Sequence, residues 1–210
     1  MLKPMPYMTP DNPHRQYLPW VREIEAEQPG RWIAQRKRNG WRRPGYKLGC
    51  WTFHSKYETG EEAKAQPPLD LVAELESLGI PDGTAFDMEW MGRRDTEYTK
   101  GQNWFEIFDL VYWNKRWQGD VPLKDRLANL KDLLYLCRAK AKMDGKMLDA
   151  EHITPRIILM PVVEKNFVEF YEQQKLDPLS EGMVMKRLNS TLLGNGRDNP
   201  FWLKIKYREG

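Results

Sequence analysis

Lys37, Asn39 and Gly40 lie in the most chemically loaded stretch of the sequence, R-W-I-A-Q-R-K-R-N-G-W-R-R from Arg31 to Arg43. Trp32 and Ile33 open a strand that carries a primary amine to its end, closely followed by a side-chain amide and then a glycine that can supply a turn. A lysine so placed suits covalent nucleotidyl transfer, in which the amine attacks a nucleoside triphosphate and holds the nucleotide as a phosphoramidate. The string alone is weak, because Lys142-Met143-Asp144-Gly145 fits the commoner Asp form of the same pattern. That second match reads as a helix end. Leu123, Leu127, Leu130, Leu134 and Cys137 form a helical stripe behind Pro122, Arg138, Lys140 and Lys142 gather at its C-terminal end, and Gly145 is placed as the cap.

A lysine nucleophile must lose its proton. At neutral pH an ordinary lysine is neutral in roughly one molecule in a thousand or fewer. Lys204 and Lys206 share one face of the last strand by its period of two, and Arg42 is a third candidate neighbour. Their charge would disfavour protonation of Lys37 and stabilise charge developing on an α-phosphate.

The elements that must position these groups follow in order. Residues 1–19 carry Pro4, Pro6, Pro10, Pro13 and Pro19, which suits an extended N-terminal arm rather than a helix, while residues 20–210 read as one domain. Trp20 to Glu27 forms a short helix before Pro29-Gly30. Tyr46 to Phe53 reads as a strand, followed by a polar loop from His54 to Gly60. Pro67-Pro68 opens a helix whose Leu69, Val72, Leu75 and Leu78 form a core face. Thr84 to Met91 is a strand with Asp87 and Glu89 on one side, and Trp104 to Trp113 is another. Arg156 to Val163 and Glu181 to Arg187 are strands around a Glu164 to Lys175 helix with Phe167, Phe170 and Tyr171 inward. A Gly194-Asn195-Gly196 turn leads to a last strand, Phe201 to Tyr207. Strands and helices mix without regular alternation, so the class is α+β.

Composition bounds the rest. The 210 residues suffice for a hydrophobic core, and 12 % aromatic residues including nine Trp argue for a folded chain despite 30 % charged residues. A net charge of +3 is too small to identify a polyanion partner without a local patch. Cys50 and Cys137 lack redox or metal spacing, and His14, His54 and His152 are scattered, so no zinc site is expected. No signal peptide or membrane-spanning run is visible, and the expected location is cytoplasmic.

Taken in order, the pieces resemble the adenylation domain of the ATP-dependent DNA ligase family, within the covalent nucleotidyltransferases that include mRNA capping enzymes. Lys37-Arg38-Asn39-Gly40-Trp41-Arg42 resembles the nucleophile motif K-x-D-G-x-R, and Phe86-Asp87-Met88-Glu89-Trp90 resembles the acidic motif L-D-G-E. Phe108-Asp109-Leu110 with Pro122-Leu123-Lys124-Asp125-Arg126 resembles F-D-x-L and P-L-x-x-R. Glu181 to Lys186 resembles E-G-x-V-x-K, and Trp202 to Lys206 resembles W-x-K-x-K. The five motifs stand in family order from about residue 30 to residue 207.

The resemblance implies a nucleotidyltransferase fold of antiparallel sheets flanked by helices. It also implies ATP and Mg2+ as cofactors and nicked duplex nucleic acid, DNA before RNA, as partner. Lys37 would be the nucleophile, with Lys204 and Lys206 beside it as catalytic residues. Gln35, Asn39, Arg42, Glu89, Phe108 and Lys186 would bind the nucleotide, Phe108 by stacking on adenine. Glu89 and Glu181 would serve a metal, and Ser55 and Lys56 a nucleic-acid phosphate, with Arg93 and Arg94 as weaker candidates. Asn39 replaces the usual Asp, and Gln35 stands where a Glu often helps to read the base; both still hydrogen-bond. Ligases of this family normally continue into an oligonucleotide-binding barrel, for which no stretch is available here, so an OB-fold partner in trans is one expectation. A nucleotide- or nick-binding module with little turnover, an RNA ligase and a capping-type transferase remain alternatives.

Overall fold

Residue alternation in the long apolar stretches builds two β-sheets, each with its own helices. The computed structural model describes residues 10–11, 18–55, 65–92, 97–140, 151–192 and 199–206. In chain order the elements are β1 (Pro10–Asp11), α1 (Leu18–Glu27), β2 (Trp32–Arg38), β3 (Trp41–Arg42), β4 (Gly45–Leu48), β5 (Cys50–Phe53), α2 (Leu69–Ser77), β6 (Thr84–Met91) and β7 (Trp104–Trp113). They continue with β8 (Arg116–Trp117), α3 (Leu123–Lys140), β9 (Ile157–Leu159), α4 (Phe167–Gln174), β10 (Ser180–Arg187) and β11 (Asn199–Lys206). This is the expected α+β class, with mostly antiparallel sheets flanked by helices. The chain divides into two units. The first holds Gly40–Val121 and Asp125–Met160, and the second holds Pro6–Asn39, Pro122–Lys124 and Pro161–Gly210.

In the first unit the strands run β5-β4-β6-β7-β8, with β3 also on β6 and β9 also on β7. Phe86, Met88 and Trp90 of β6 alternate into a core shared with Trp51, Phe53, Leu71, Leu75, Leu130, Leu134 and Cys137. The expected Tyr46 to Phe53 strand is a hairpin, because Gly49 takes a positive φ of 74° and reverses the chain between β4 and β5. The core face of α2 also differs from expectation: Leu71, Leu75 and Leu78 are buried, whereas Leu69 is 87 % exposed. Leu69 is the first helical residue, so the inward stripe starts two positions later.

A buried ion pair ties α3 to β7. The Arg126 Nε and Nη2 groups donate to the two carboxylate oxygens of Asp109, each at 2.9 Å, and the side chains are 0 % and 1 % exposed. Arg126 Nη1 donates to the Val121 carbonyl at 2.6 Å, and the Leu110 amide donates to Asp109 Oδ1 at 2.8 Å. Backbone groups take up one further donor of the guanidinium and one further lone pair of the carboxylate, which lowers the cost of burying the pair.

In the second unit the order is β1-β11-β10-β2. Trp32, Ala34, Met183, Met185 and Ile205 turn to one face, where they pack with Val21 and Ile24 of α1 and Phe167, Phe170 and Tyr171 of α4. Glu25 accepts from the Phe167 amide, satisfying a first-turn donor of α4 whose N-cap side chain makes no such bond. The expected Arg156 to Val163 strand is two pieces: Ile157–Leu159 pairs with β7, and Val163 bridges Ala34. Pro161, with no amide to donate, lies where the chain passes from the first unit to the second. Most of the N-terminal arm, the polar loop from Lys56 to Gly60, Arg93, Arg94, the Gly145 cap, the Gly194 to Gly196 turn and Tyr207 lie outside the described residues. Among the described residues no helix is long and apolar enough to cross a membrane.

Replacing Arg126 by Met leaves the Asp109 carboxylate buried and unpaired, and is expected to cost about 3–5 kcal/mol in denaturant unfolding. The double replacement Arg126→Met with Asp109→Leu should cost less than the single one.

Candidate active site

The alternation that sends Trp32 and Ala34 of β2 to the helices sends Ile33, Gln35 and Lys37 to the opposite face. Strand register then builds three rows across β2, β10 and β11 on that face: Lys37–Gly182–Lys206, Gln35–Val184–Lys204 and Ile33–Lys186–Trp202. Lys204 and Lys206 share one face, as the period of the last strand implies, and the register through β10 makes it the face of Lys37.

Glu181 joins them through an irregularity. In an unbroken strand it would turn with Met183 toward the helices, but the register shifts between Ser180 and Gly182, and Gly182 takes a φ of 137°. The carboxylate consequently reaches the amine face, where Glu181 Oε2 pairs with Lys37 Nζ and lies 3.5 Å from Lys206 Nζ. Gly182, directly between the two lysines in register, leaves the gap open. A Cβ there would fall 2.0 Å from the Ile205 carbonyl oxygen. Burial pushes the Glu181 carboxyl up, but Lys37 and then Lys206 outweigh it, and the group ends below its ordinary 4.5.

Along the other rows, the Gln35 side chain is 1 % exposed, and among the described residues neither its amide oxygen nor its nitrogen has a hydrogen-bond partner. A buried amide with both ends open is costly unless a ligand edge completes it. Lys186 is also buried, with Nζ 4.2 Å from the centre of the Trp202 ring, whose Nε1 donates to Ser190 Oγ at 3.0 Å. The Asn39 amide donates to the Leu179 carbonyl at 3.0 Å, which ties the end of β2 to the turn before β10.

The remaining candidates belong to the first unit. Arg42 on β3 pairs with both carboxylate oxygens of Asp87, Nε to Oδ1 at 2.8 Å and Nη2 to Oδ2, and stands opposite Glu89 in register. Phe108 falls where the β6–β7 register shifts, between the partners of Asp87 and Met88, and its ring centre is 5.8 Å from Arg42 Cζ. Gly40 passes so close to β6 that a Cβ would meet Glu89 Cγ at 2.7 Å and the Trp90 carbonyl at 2.8 Å. Ser55 is 9 % exposed. Sequence reasoning missed the partners: Asp87 for Arg42, Glu181 for Lys37, and Asp109 for Arg126. The only local signal for any of them is the E-G dipeptide, which marks the bulge.

Several solved structures share this fold at low identity. A mycobacterial DNA ligase D complexed with ATP and MES superposes with a TM-score of 0.63 at 20 % identity, over 98 % of this chain and 60 % of that one. Chlorella virus DNA ligase-adenylate gives 0.56 at 17 %, over 98 % and 69 %. A Naegleria gruberi RNA ligase gives 0.50 at 14 %, over 93 % and 58 %. The fold is that of the nucleotidyltransferase domain of ATP-dependent DNA ligases, and the chain spans 60 % of the length of the mycobacterial ligase. No protein-family model matches the sequence. No curated protein sequence matches it.

The depressed carboxyl has a consequence for stability. The Glu181 ion pairs contribute fully above the ordinary carboxyl pKa, and the contribution is lost as pH falls through the lower folded-state value. Glu181→Gln should therefore lower Tm at neutral pH and converge on the parent only as pH falls below the depressed folded-state value, read from thermal unfolding at stepped pH.

Proposed function

We propose that the chain carries the nucleotidyltransferase core of an ATP-dependent polynucleotide ligase that seals nicks in DNA. The observation that carries this reading is the convergence of Lys37 and Lys206 on the Glu181 carboxylate, on one face of a three-strand register. An amine, a second cation in fixed register and a carboxylate able to exchange its partner are the groups that the first step requires. Lys37 Nζ, once deprotonated, forms a bond to the α-phosphorus of ATP as the bond to pyrophosphate breaks, giving lysyl-AMP. In this reading Lys206 and Lys204 stabilise the charge that develops on the α-phosphate. AMP then passes to a 5′-phosphate, and a 3′-hydroxyl displaces it to join the strand. Positioning and charge stabilisation supply most of the rate in such steps.

The residues present fit the nucleotide. Gln35 offers a donor and an acceptor that lack partners among the described residues, matching the paired acceptor and donor on the edge of adenine. In this reading Phe108 stacks on the base, Glu89 serves the ribose or a metal, and Asn39, Arg42 and Lys186 complete nucleotide binding. Magnesium commonly shares one or two carboxylates with substrate phosphates, and in this reading Glu181 and Glu89 are the carboxylates assigned to it. Bound there, it would supply charge neutralisation at the phosphates. Ser55 and Lys56 are assigned to the nucleic-acid backbone, a barrel supplied in trans is a candidate partner, and the cytoplasm is the expected compartment.

Intact-protein mass after incubation with ATP and Mg2+ is expected to rise by one adenylate on the parent and not on Lys37→Ala. No adduct on the parent, even with a barrel-containing ligase fragment added, would overturn covalent transfer. A guanylate adduct from GTP in preference to ATP would favour a capping-type transferase, and sealing of a preadenylylated RNA nick in preference to DNA would favour an RNA ligase.

A further inference from the structure

The bulge that presents Glu181 is itself held by residues that the nucleotidyl-transfer reading does not use. After α4 the chain turns at Asp177, whose Oδ1 accepts from the Leu179 amide at 2.9 Å while its carbonyl accepts from the Ser180 amide at 2.9 Å. Its other carboxylate oxygen, Oδ2, pairs with Arg38 Nη1, and the two side chains are 8 % and 29 % exposed for Arg38 and Asp177. Arg38 is the register partner of Ser180, and the next residue, Asn39, donates its amide to Leu179. Inside the bulge the Ser180 hydroxyl donates to the Gly182 carbonyl at 3.1 Å and accepts from the Gly182 amide at 3.3 Å.

Lys37 and Arg38 are consecutive, so strand alternation turns them to opposite faces. Each holds one end of the same short segment: Arg38 takes Asp177, and Lys37 takes Glu181. The Asp177–Ser180 turn therefore cannot shift without moving the carboxylate relative to the amine. The ion pair with this largely desolvated guanidinium ties the turn to the end of β2.

We propose that Arg38 and Asp177 are positioning residues that lock the turn before β10 against the end of β2, so that Glu181 meets Lys37 in the geometry that lysyl-nucleotide formation requires. The proposal rests on the nucleotidyl-transfer reading for its rate effect, but not for its structural content. Nucleotide affinity is not its target, because neither residue belongs to the Gln35 or Lys204 row.

The test uses single-turnover formation of lysyl-AMP on the full chain across ATP concentration. The variants are Asp177→Asn, which keeps the Oδ1 acceptor for Leu179, and Arg38→Ala. The rate at saturating ATP should fall by about tenfold or more in each variant, with the half-saturating ATP concentration within about twofold of the parent. Variants as fast as the parent, or a change in half-saturation alone, would overturn it. A second readout needs no nucleotide: the rate at which an amine-reactive ester acylates Lys37, followed by peptide mass. Asp177→Asn and Glu181→Ala should change that rate in the same direction by severalfold, and a Lys37 labelled in Asp177→Asn as in the parent would overturn the proposal. If the parent forms no lysyl-AMP, the functional reading fails, and the labelling result still decides the positioning role.

Discussion

Two lysines on one sheet face, flanking a glycine, repel each other unless an anion lies between them. Glu181 is that anion, and much of the second unit can be understood as the means of delivering its carboxylate to Lys37 and Lys206. A regular β10 would bury Glu181 against α1 and α4, where a charge is expensive. The register shift and the conformation of Gly182 turn it out, and the absence of a side chain at Gly182 leaves the gap that it fills. Lys204 stands one row away on the same face. That arrangement suits a polyphosphate: cations are already in place, and their resting partner is a carboxylate that can be exchanged.

The first unit solves a related problem with adjacent residues. Phe108 and Asp109 are neighbours in sequence, yet Phe108 lies at the register shift beside Arg42 while Asp109 is buried against Arg126. On the other side of β6, Arg42 is held by Asp87, so the guanidinium is oriented by a bidentate pair. Gly40 permits the close approach of its backbone to β6 that brings Arg42 opposite Glu89.

Much of this was legible in the residues. The strands at Thr84–Met91 and Trp104–Trp113, the inward Phe167, Phe170 and Tyr171, and the common face of Lys204 and Lys206 follow from periods of two and 3.6. Where the reading slipped, the missing term was local geometry or a distant partner. Gly49 turned an expected strand into a hairpin, and the inward face of α2 depended on which residue began the helix. The broken stretch around Pro161 pairs with different sheets on its two sides, which no local pattern encodes.

By itself the sequence determined the class of the fold, the order of its motifs and which side chains share a face, because these follow from residue type and periodicity within a few residues. Only the tertiary structure decided which charges meet. Lys37 and Glu181 are 144 positions apart, and their contact depends on the pairing of β2 with β10 and on a one-residue shift within it. Arg126 and Asp109 are joined the same way, across the packing of a helix on a strand. An ion pair between distant segments is fixed by strand register and helix docking, and those are set by the burial of the whole core rather than by the residues that form the pair.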